Sequence, residues 1–473
     1  MKKILLYIII IAFMAFSGVN IFAQYGSFGV ADAQSIGMGN SFGSSFGVLS
    51  LGKNPALLDY PQDTSGYVAV QFPNFAFKAI ESSMTLDDFN NYFNYPTSKN
   101  LNDAEKQAFF ESFGEDNGFY FHLGSDLLSF AVKPTPTFGT IAFSVTDYMA
   151  GTLKVPLTMV DLLINGNAQN RTYEFDDMSF KAWWIKYYTL SYAREIMKFD
   201  DDFFIKRLSG GISLKYVHGI AYAGVENFDA FLKTGANNAL TGRINYLANS
   251  AFSTDLGINY DFADTDYKNN ASLFNEPAGS GLGFDIGFAA DLDNHIRVGL
   301  SITDIGSITW DKNAAEYKAN GDIYITDLFD KDQQNDLENF LDDSSYAVNS
   351  FSTSLPTALR LNIAYDISKS IGIIPGDLIL QLAYNQGFND MPGNSLTPRL
   401  ALGARWKTLS WIPIVSTGLS NDHSGDIVWT FGLGYSTEVL DFAIATHDMI
   451  SFMSTSRYPH LSLAMNFVWR FGF

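Results

Sequence analysis

The C-terminal end of the chain alternates, almost without exception, between large apolar side chains and small or polar ones. From residue 460 onward, one face carries only large apolar residues: Leu461, Leu463, Met465, Phe467, Trp469, Phe471 and Phe473. A period of two predicts a β-strand with one apolar face. At roughly 3.3 Å per residue, this strand is long enough to cross a bilayer, for which a tilted strand needs about 9–11 residues. The chain must therefore fold so that this apolar face meets lipid or a large core.

The N-terminal end has the pattern of a secretory signal peptide, which we place at residues 1–23. Lys2 and Lys3 precede an apolar run from Ile4 to Phe16, and Ala23 supplies a cleavage site before Gln24. The alternative is a membrane anchor, but the run is too short to span a bilayer with ease. The chain contains no cysteine, which excludes a lipid-modified N-terminal cysteine, disulfides and thiolate metal sites.

Six earlier runs repeat the terminal pattern. They lie at 282–288, 296–302, 359–365, 378–384, 400–406 and 427–435. Their second face is mostly Gly, Ala and polar residues, which suits the crowded inside of a barrel. A soluble sandwich would also alternate, but its polar face would be richer in charge and Thr. After Ala23 no uninterrupted stretch of about 18 apolar residues occurs, so no membrane helix is predicted.

Eight less regular runs complete the set of predicted strands. They lie at 66–72, 127–133, 139–148, 185–194, 210–218, 254–261, 412–419 and 439–446. With the terminal strand there are about fifteen candidates, of which one is expected to be false or one missed, since single-chain barrels have even strand numbers. We predict an all-β fold, a transmembrane antiparallel β-barrel of about fourteen strands over residues 61–473, with twelve and sixteen strands left open.

Four long inserts separate these strands, near 81–118, 156–182, 221–253 and 312–349. Residues 102–110 predict a capped amphipathic helix, and residues 332–341 a helix-like acidic segment. The inserts at 156–182 and 221–253 are mixed, and short helices are expected there. Barrels of this kind place short turns on the periplasmic side and long loops outside, so we expect most inserts to be extracellular.

The chain is acidic, with a formal charge of −20 that becomes −22 once Lys2 and Lys3 leave with the signal peptide. One interpretation is a solvated surface that resists aggregation. The other is a surface that binds divalent cations and bridges to anionic outer-leaflet lipid. Phosphate contacts need clustered Lys and Arg, which are absent, so nucleic-acid binding is disfavoured.

We find no pattern that predicts catalysis, a metal site or a cofactor, and we expect no enzyme. The six histidines lack close metal-ligand spacing. His447 and His460 could lie near Ser451, but strand-end histidines are more often solvated or packed. Asp264-Thr265-Asp266 with Asn269 lacks the turn Gly and terminal Glu of an EF-hand loop.

Several charged residues fall on the face that would point into a barrel. They are Arg360, Arg399, Arg405 and Arg470, with Asp285, Asp291 and Asp366 as possible partners. Charges at membrane depth must pair or line water. One interpretation is that these arginines pair with the lumen carboxylates. The alternative is an anionic binding site, for instance for the head group of a fatty acid.

Two short N-terminal elements carry a family resemblance. Ser35-Ile36-Gly37-Met38-Gly39 is followed by Asn54-Pro55-Ala56, and the pair resembles the mature N-terminus of the FadL-like outer-membrane family. That family includes channels for hydrophobic compounds and the PorV-type proteins of type IX secretion. The segment 281–317 and Leu355-Pro356-Thr357-Ala358 further resemble an uncharacterised branch of it.

The resemblance implies a fourteen-stranded barrel in the outer membrane of a Gram-negative bacterium, with residues 24–60 forming a plug. The plug motif would comprise Gly37, Met38, Gly39, Asn54, Pro55 and Ala56. Packing within the plug is one role for these residues, and binding a ligand is the other. The motif departs from the family at Asn40, Ser41 and Leu57, and Ser44-Ser45-Phe46 replaces the acidic residues often found between its halves.

Two functions follow from the resemblance. The first is a FadL-like channel that binds or passes small hydrophobic molecules. The second is a PorV-like interaction barrel that supports protein secretion or surface assembly through its loops. In both, Phe473 resembles the assembly signal read by the barrel-assembly machinery, and outer-membrane lipid surrounds the wall. Beyond these the expected partner is a hydrophobic small molecule or a secreted or surface protein.

Overall fold

The alternating segments form antiparallel strands whose large apolar side chains point outward and whose small and polar side chains point inward. In the terminal strand Leu461 is 57% exposed and Leu463 43%, whereas Ala464 is fully buried. The computed structural model describes residues 26–29, 32–60, 66–93, 102–113, 117–176, 178–200, 203–235, 239–259, 270–293, 295–326, 331–333, 345–371, 374–409, 411–421, 427–456 and 459–472.

The described residues form strands along the whole chain after residue 66. They are β1 (Tyr67–Glu81), β2 (Gly118–Lys133), β3 (Thr140–Lys154), β4 (Thr172–Glu174), β5 (Ser179–Lys198), β6 (Arg207–Thr234), β7 (Leu240–Phe252), β8 (Gly279–Asp291), β9 (Ile296–Trp310), β10 (Ala314–Ile325), β11 (Ser345–Ala347), β12 (Phe351–Ser354), β13 (Ala358–Asp366), β14 (Asp377–Gly387), β15 (Arg399–Lys407), β16 (Ile414–Asn421), β17 (Ile427–Ser436), β18 (Leu440–Thr446) and β19 (His460–Gly472).

Fourteen of these strands close into a barrel. Each pairs with the next in the order β1, β2, β3, β5, β6, β8, β9 and then β13 to β19. The sheet closes because β1 pairs antiparallel with both β2 and β19, with Tyr67 opposite Gly472. Closure removes the free edges that an open sheet would expose to lipid. The predicted transmembrane antiparallel barrel of about fourteen strands is confirmed.

The two ends of the barrel differ. At one end, which we call the short-turn end, brief connections such as 134–139 and 292–295 join the strands, and β1 begins and β19 ends there. At the other, the long-loop end, lie the connections 82–117, 155–178 and 311–357.

Five strands build a sheet beyond the long-loop end. The distal half of β6, from Ala221 to Thr234, pairs with β7, and β7 pairs with β10. The short strands β4 and β11 pair with β6 and β10 respectively. The predicted insert at 221–253 therefore contains strands, not the short helices expected from its mixed sequence.

Helices are short and form no part of the barrel wall. They are α1 (Ala33–Ile36), α2 (Leu86–Phe93), α3 (Asp103–Glu111), α4 (Leu157–Asn165) and α5 (Ile367–Ile371). The predicted helix at 102–110 corresponds to α3, where Asn102 accepts a hydrogen bond from the backbone N–H of Glu105. Across the described ranges, no helix is both long enough and apolar enough to cross a membrane.

One predicted strand is wrong, and several predictions fall outside the described residues. The run 254–261 begins with the 3₁₀ turn Thr254–Leu256, because Ser253 caps the backbone at Asp255 and Gly257 adopts a positive φ. Outside the description lie the signal peptide 1–23, the segment 264–269, most of 332–341 and the terminal Phe473.

Candidate functional site

The N-terminal segment lies inside the barrel and extends from one end of the lumen to the other. We call its described residues between 26 and 60 the plug segment. At the long-loop end, the backbone N–H of Gly26 donates to the carbonyl of Thr397 at 2.7 Å. At the short-turn end, Lys133 Nζ lies 3.2 Å from Asp59 Oδ1, and both side chains are buried. The segment therefore occupies the whole height of the lumen.

The Asn54-Pro55-Ala56 element is seated on inward-facing glycines of the wall. A Cβ atom at Gly211 would collide with the backbone of Pro55 and Ala56, and one at Gly287 would collide with the Asn54 side chain. Asn54 Nδ2 also donates to the carbonyl of Phe288 at 3.1 Å. Only residues without a side chain leave room for this approach.

The Gly37-Met38-Gly39 element has a second glycine seat on the opposite part of the wall. A Cβ atom at Gly403 would lie 2.6 Å from the Met38 carbonyl oxygen, and one at Gly418 would lie 2.5 Å from the Gly39 nitrogen. The Thr430 hydroxyl accepts from the Gly39 N–H at 2.9 Å and donates to the Gly37 carbonyl at 3.1 Å. The two halves of the motif thus sit on separate seats.

An ion pair between Lys53 and Asp32 joins the two halves of the plug segment. Asp32 also caps α1 by accepting from the backbone N–H of Ser35 at 3.0 Å. The first residue of α1, Ala33, donates its N–H to Asn466 Oδ1 of β19 at 3.1 Å. The segment is held to itself and to the strand that closes the barrel.

An aromatic cluster fills the lumen at the long-loop end. Its largest members are Tyr148, Trp183, Tyr187, Tyr222 and Trp310, packed together with Ile308 and Leu355. The Tyr148 hydroxyl and Trp183 Nε1 have no hydrogen-bond partner among the described residues. Burying such a group unpaired costs about 1–3 kcal/mol. Packed aromatic rings thus close the lumen at this end.

The four predicted arginines are dispersed. Arg360 is buried and donates Nη2 to the Ser27 hydroxyl of the plug segment at 3.0 Å. Arg399 is also buried, at the level of Gly26. Arg405 borders a cavity of about 20 Å³, and Arg470 pairs with Asp441 near the short-turn end.

The three predicted carboxylates have other partners. Arg297 Nε lies 2.7 Å from Asp291 Oδ1, and Lys369 Nζ lies 3.1 Å from Asp366 Oδ2. Asp285 lies 2.8 Å from Lys215 Nζ. The expected pairing with Arg360, Arg399, Arg405 and Arg470 is not found among the described residues. Strand register places Arg297 beside Asp291 and Lys215 near Asp285, and the helical turn after β13 places Lys369 beside Asp366.

Sequence reasoning missed the central buried charge cluster. Lys215 Nζ bonds Asp285 at 2.8 Å and Asp304 at 2.7 Å, and the Asp304 N–H donates to Asp285. Lys215 lies at an inward-facing position of β6, so the alternation of side chains could have identified it. Asp304 could not be identified, because its φ of 59° breaks the alternation and places Thr303 and Asp304 both inside.

Two cavities open at the short-turn end and are separated by Phe46. The larger, of about 540 Å³, is lined by Gly43, Ser44 and Phe46 with charged residues of the wall, and the smaller is about 400 Å³. Phe46 stacks on Tyr60, and the Arg297 guanidinium lies 4.8 Å and 4.1 Å from their ring centres. Burial raises the pKa of the Tyr60 phenol, and the nearby Arg297 opposes that shift.

The serine considered as a nucleophile has a different partner. The Ser451 hydroxyl donates to Asp448 at 2.7 Å, and His460 Nδ1 lies 3.4 Å from the same carboxylate. The carboxylate therefore stands between the serine and that histidine, whereas a nucleophilic serine needs its base within hydrogen-bond reach.

Several solved structures are similar to this chain. The chain is similar to a mutant of the TodX monoaromatic hydrocarbon channel (11% identity, 94% of this chain and 100% of that one, TM-score 0.47). It is similar to the toluene transporter TbuX of Ralstonia pickettii (13%, 93% and 98%, 0.43) and to a Pseudomonas aeruginosa FadL homologue (12%, 95% and 100%, 0.46).

Sequence comparison gives one family. No curated protein sequence matches the chain significantly. The family described as "Family of unknown function (DUF5723)" matches residues 55–446. This range begins at Pro55 of the Asn54-Pro55-Ala56 element and includes every barrel strand except β19. Because this match spans well over half of the chain, the protein belongs to the DUF5723 family.

Proposed function

We propose that the protein is an outer-membrane channel that binds small hydrophobic molecules and passes them along the lumen. The observation that carries this proposal is the aromatic cluster inside a closed barrel whose outer wall is apolar. A channel for hydrophilic solutes has a polar, water-filled interior. Here Tyr148, Trp183 and Trp310 occupy the corresponding space at the long-loop end.

The plug segment and the cavity of about 540 Å³ at the short-turn end, which we call the lower cavity, complete the proposed route. The 540 Å³ cavity at the short-turn end is the size of a site for a small ligand. Between it and the aromatic cluster lies the plug segment, so passage requires a part of this segment to shift. The wall stays intact during such a shift because backbone hydrogen bonds join each strand to its neighbours around the closed barrel.

The location proposed for the protein is the outer membrane, reached after removal of residues 1–23. In the orientation that we propose, the long-loop end faces the outside of the cell and the short-turn end faces the periplasm. Membrane fractionation and N-terminal sequencing test this location. The protein should be found in the outer-membrane fraction and should begin at Gln24. It should also migrate differently on gels before and after heating. A retained leader or a soluble fraction would contradict the proposal.

Uptake of 1-N-phenylnaphthylamine tests the channel in cells whose outer membrane excludes this aromatic probe. Cells that make the protein should take it up several-fold faster than cells with an empty vector. Trp183→Ala removes a central ring of the cluster and should lower uptake and probe binding. Trp411→Ala, at a tryptophan 73% exposed near the short-turn end, is the matched control and should leave both unchanged.

The same cells also test the alternative function, an interaction barrel that holds other proteins through its loops. No contact of the described residues favours it over the channel. If the cells take up no probe while a gentle pull-down recovers a stoichiometric partner through the long loops, the channel proposal is overturned.

A further inference from the structure

The plug segment contains a short span that its two glycine seats do not hold. Between Gly39 and Asn54 the backbone takes a positive φ at Asn40 and again at Gly47. A positive φ marks a sharp change of chain direction, so the span lies between two turns. The span between them carries Gly43, Ser44 and Phe46, which also line the larger lower cavity.

One side chain of the wall clamps this span. Gln381 Oε1 accepts from the Gly43 N–H at 2.9 Å, and Gln381 Nε2 donates to the Ser44 hydroxyl at 2.5 Å. Gln381 Nε2 also lies 3.3 Å from Met38 Sδ. Gln381 is buried on the inward face of β14. Both ends of one amide thus hold two successive residues of the span.

A second amide lies beside the first and is unused. Asn362 of β13 is 1% exposed, and among the described residues neither its Nδ2 nor its Oδ1 has a hydrogen-bond partner. It neighbours Gln381 on the inward face, since Ala364 is opposite Gln381 in the register. A Cβ atom at Gly43 would lie 2.7 Å from Asn362 Nδ2. A buried amide without partners calls for an explanation, and a second position of the span that uses this amide would supply one.

We propose that Gly43–Ser44 is the inner gate of the channel, and this inference rests on the proposed function. Gln381 holds the gate closed. When the span shifts, Asn362 receives the polar groups that Gln381 releases, and the lower cavity opens toward the lumen. The gate is small because the seats at Gly403 and Gly418 and at Gly211 and Gly287 keep the rest of the segment in place.

Two substitutions of the same kind should act in opposite directions. Gln381→Leu removes the clamp and should raise uptake of 1-N-phenylnaphthylamine several-fold over the wild-type protein. Asn362→Leu removes the receiving amide and should lower uptake, without loss of thermal stability. Gln386→Leu is the matched control: Gln386 lies on the outer face of the same strand and bonds the Leu396 carbonyl, so uptake should not change.

A labelling experiment separates failure of the gate from failure of the proposed function. The chain lacks cysteine, and Ser45 is fully buried beside the gate, so Ser45→Cys is a single reporter. Maleimide labelling should be faster with Gln381→Leu and slower with Asn362→Leu. Equal rates in all variants, or shifts in the same direction, would overturn the gate even where the wild-type protein takes up the probe. Gate-dependent labelling without any uptake would overturn the channel instead.

Discussion

At the scale of single residues, inward-facing glycines of the wall make room for the plug segment because they have no side chain. Gly287→Ala places a methyl group against Asn54 and Pro55, and overpacking of this kind costs about 1–3 kcal/mol. We expect urea unfolding to show that loss. Gly124→Ala is the control, because its Cβ would meet nothing closer than 3.4 Å. Adding Asn54→Ala should recover part of the loss, and a fully additive double variant would contradict the seat.

The ion pair between Lys133 and Asp59 is a second contact, and its contribution to the free energy of unfolding depends on its burial. Lys133 is fully buried, and Asp59 Oδ1 also accepts from the Thr140 hydroxyl at 2.7 Å. Lys133→Met leaves a buried carboxylate without its cation, which costs about 3–5 kcal/mol. Combining it with Asp59→Leu should cost less than Lys133→Met alone. Unfolding free energies of the two single variants and the double variant measure the coupling, and independence of the two sites would refute it.

At the scale of elements, the alternation of side chains predicted the barrel strands well because lipid on one side and a crowded lumen on the other impose it. Fourteen of the predicted runs lie in barrel strands. The charge partners were not predictable, because a period of two gives the face of a residue and not its height or neighbour. Lys215 meets Asp285 only through the register of β6 and β8, and register is a property of the assembled sheet.

On the wall, an ion pair between buried Lys186 and partly buried Asp147 joins three elements. Lys186 Nζ lies 2.7 Å from Asp147 Oδ1 and donates to the Leu273 carbonyl of the connection before β8 at 2.8 Å. Lys186→Met should destabilise the barrel by about 3–5 kcal/mol and raise chymotrypsin cleavage at Phe274. The exposed pair of Arg243 and Asp322 is the control, since Arg243→Met should cost below about 1 kcal/mol. Equal losses would show that burial does not set the difference.

At the scale of the whole molecule, the two ends of the barrel should be distinguishable in intact cells. Asn227 is exposed on the sheet beyond the long-loop end, and Asp200 is exposed in a connection at the short-turn end. A membrane-impermeant maleimide should label Asn227→Cys from outside, and Asp200→Cys only after the outer membrane is permeabilised. The reverse pattern would invert the orientation proposed for the channel.

The bond between Ala33 and Asn466 also sets an order of assembly. Ala33 is near the start of the described chain and Asn466 lies in the last strand, so early residues acquire this contact only after nearly all others have been synthesised. A ring closed first could not admit the segment later through its packed interior. The seam between β1 and β19 must therefore form around the segment. A chain cut before residue 460 would lose both the pairing of β1 with β19 and the bond from Asn466 to Ala33 of α1.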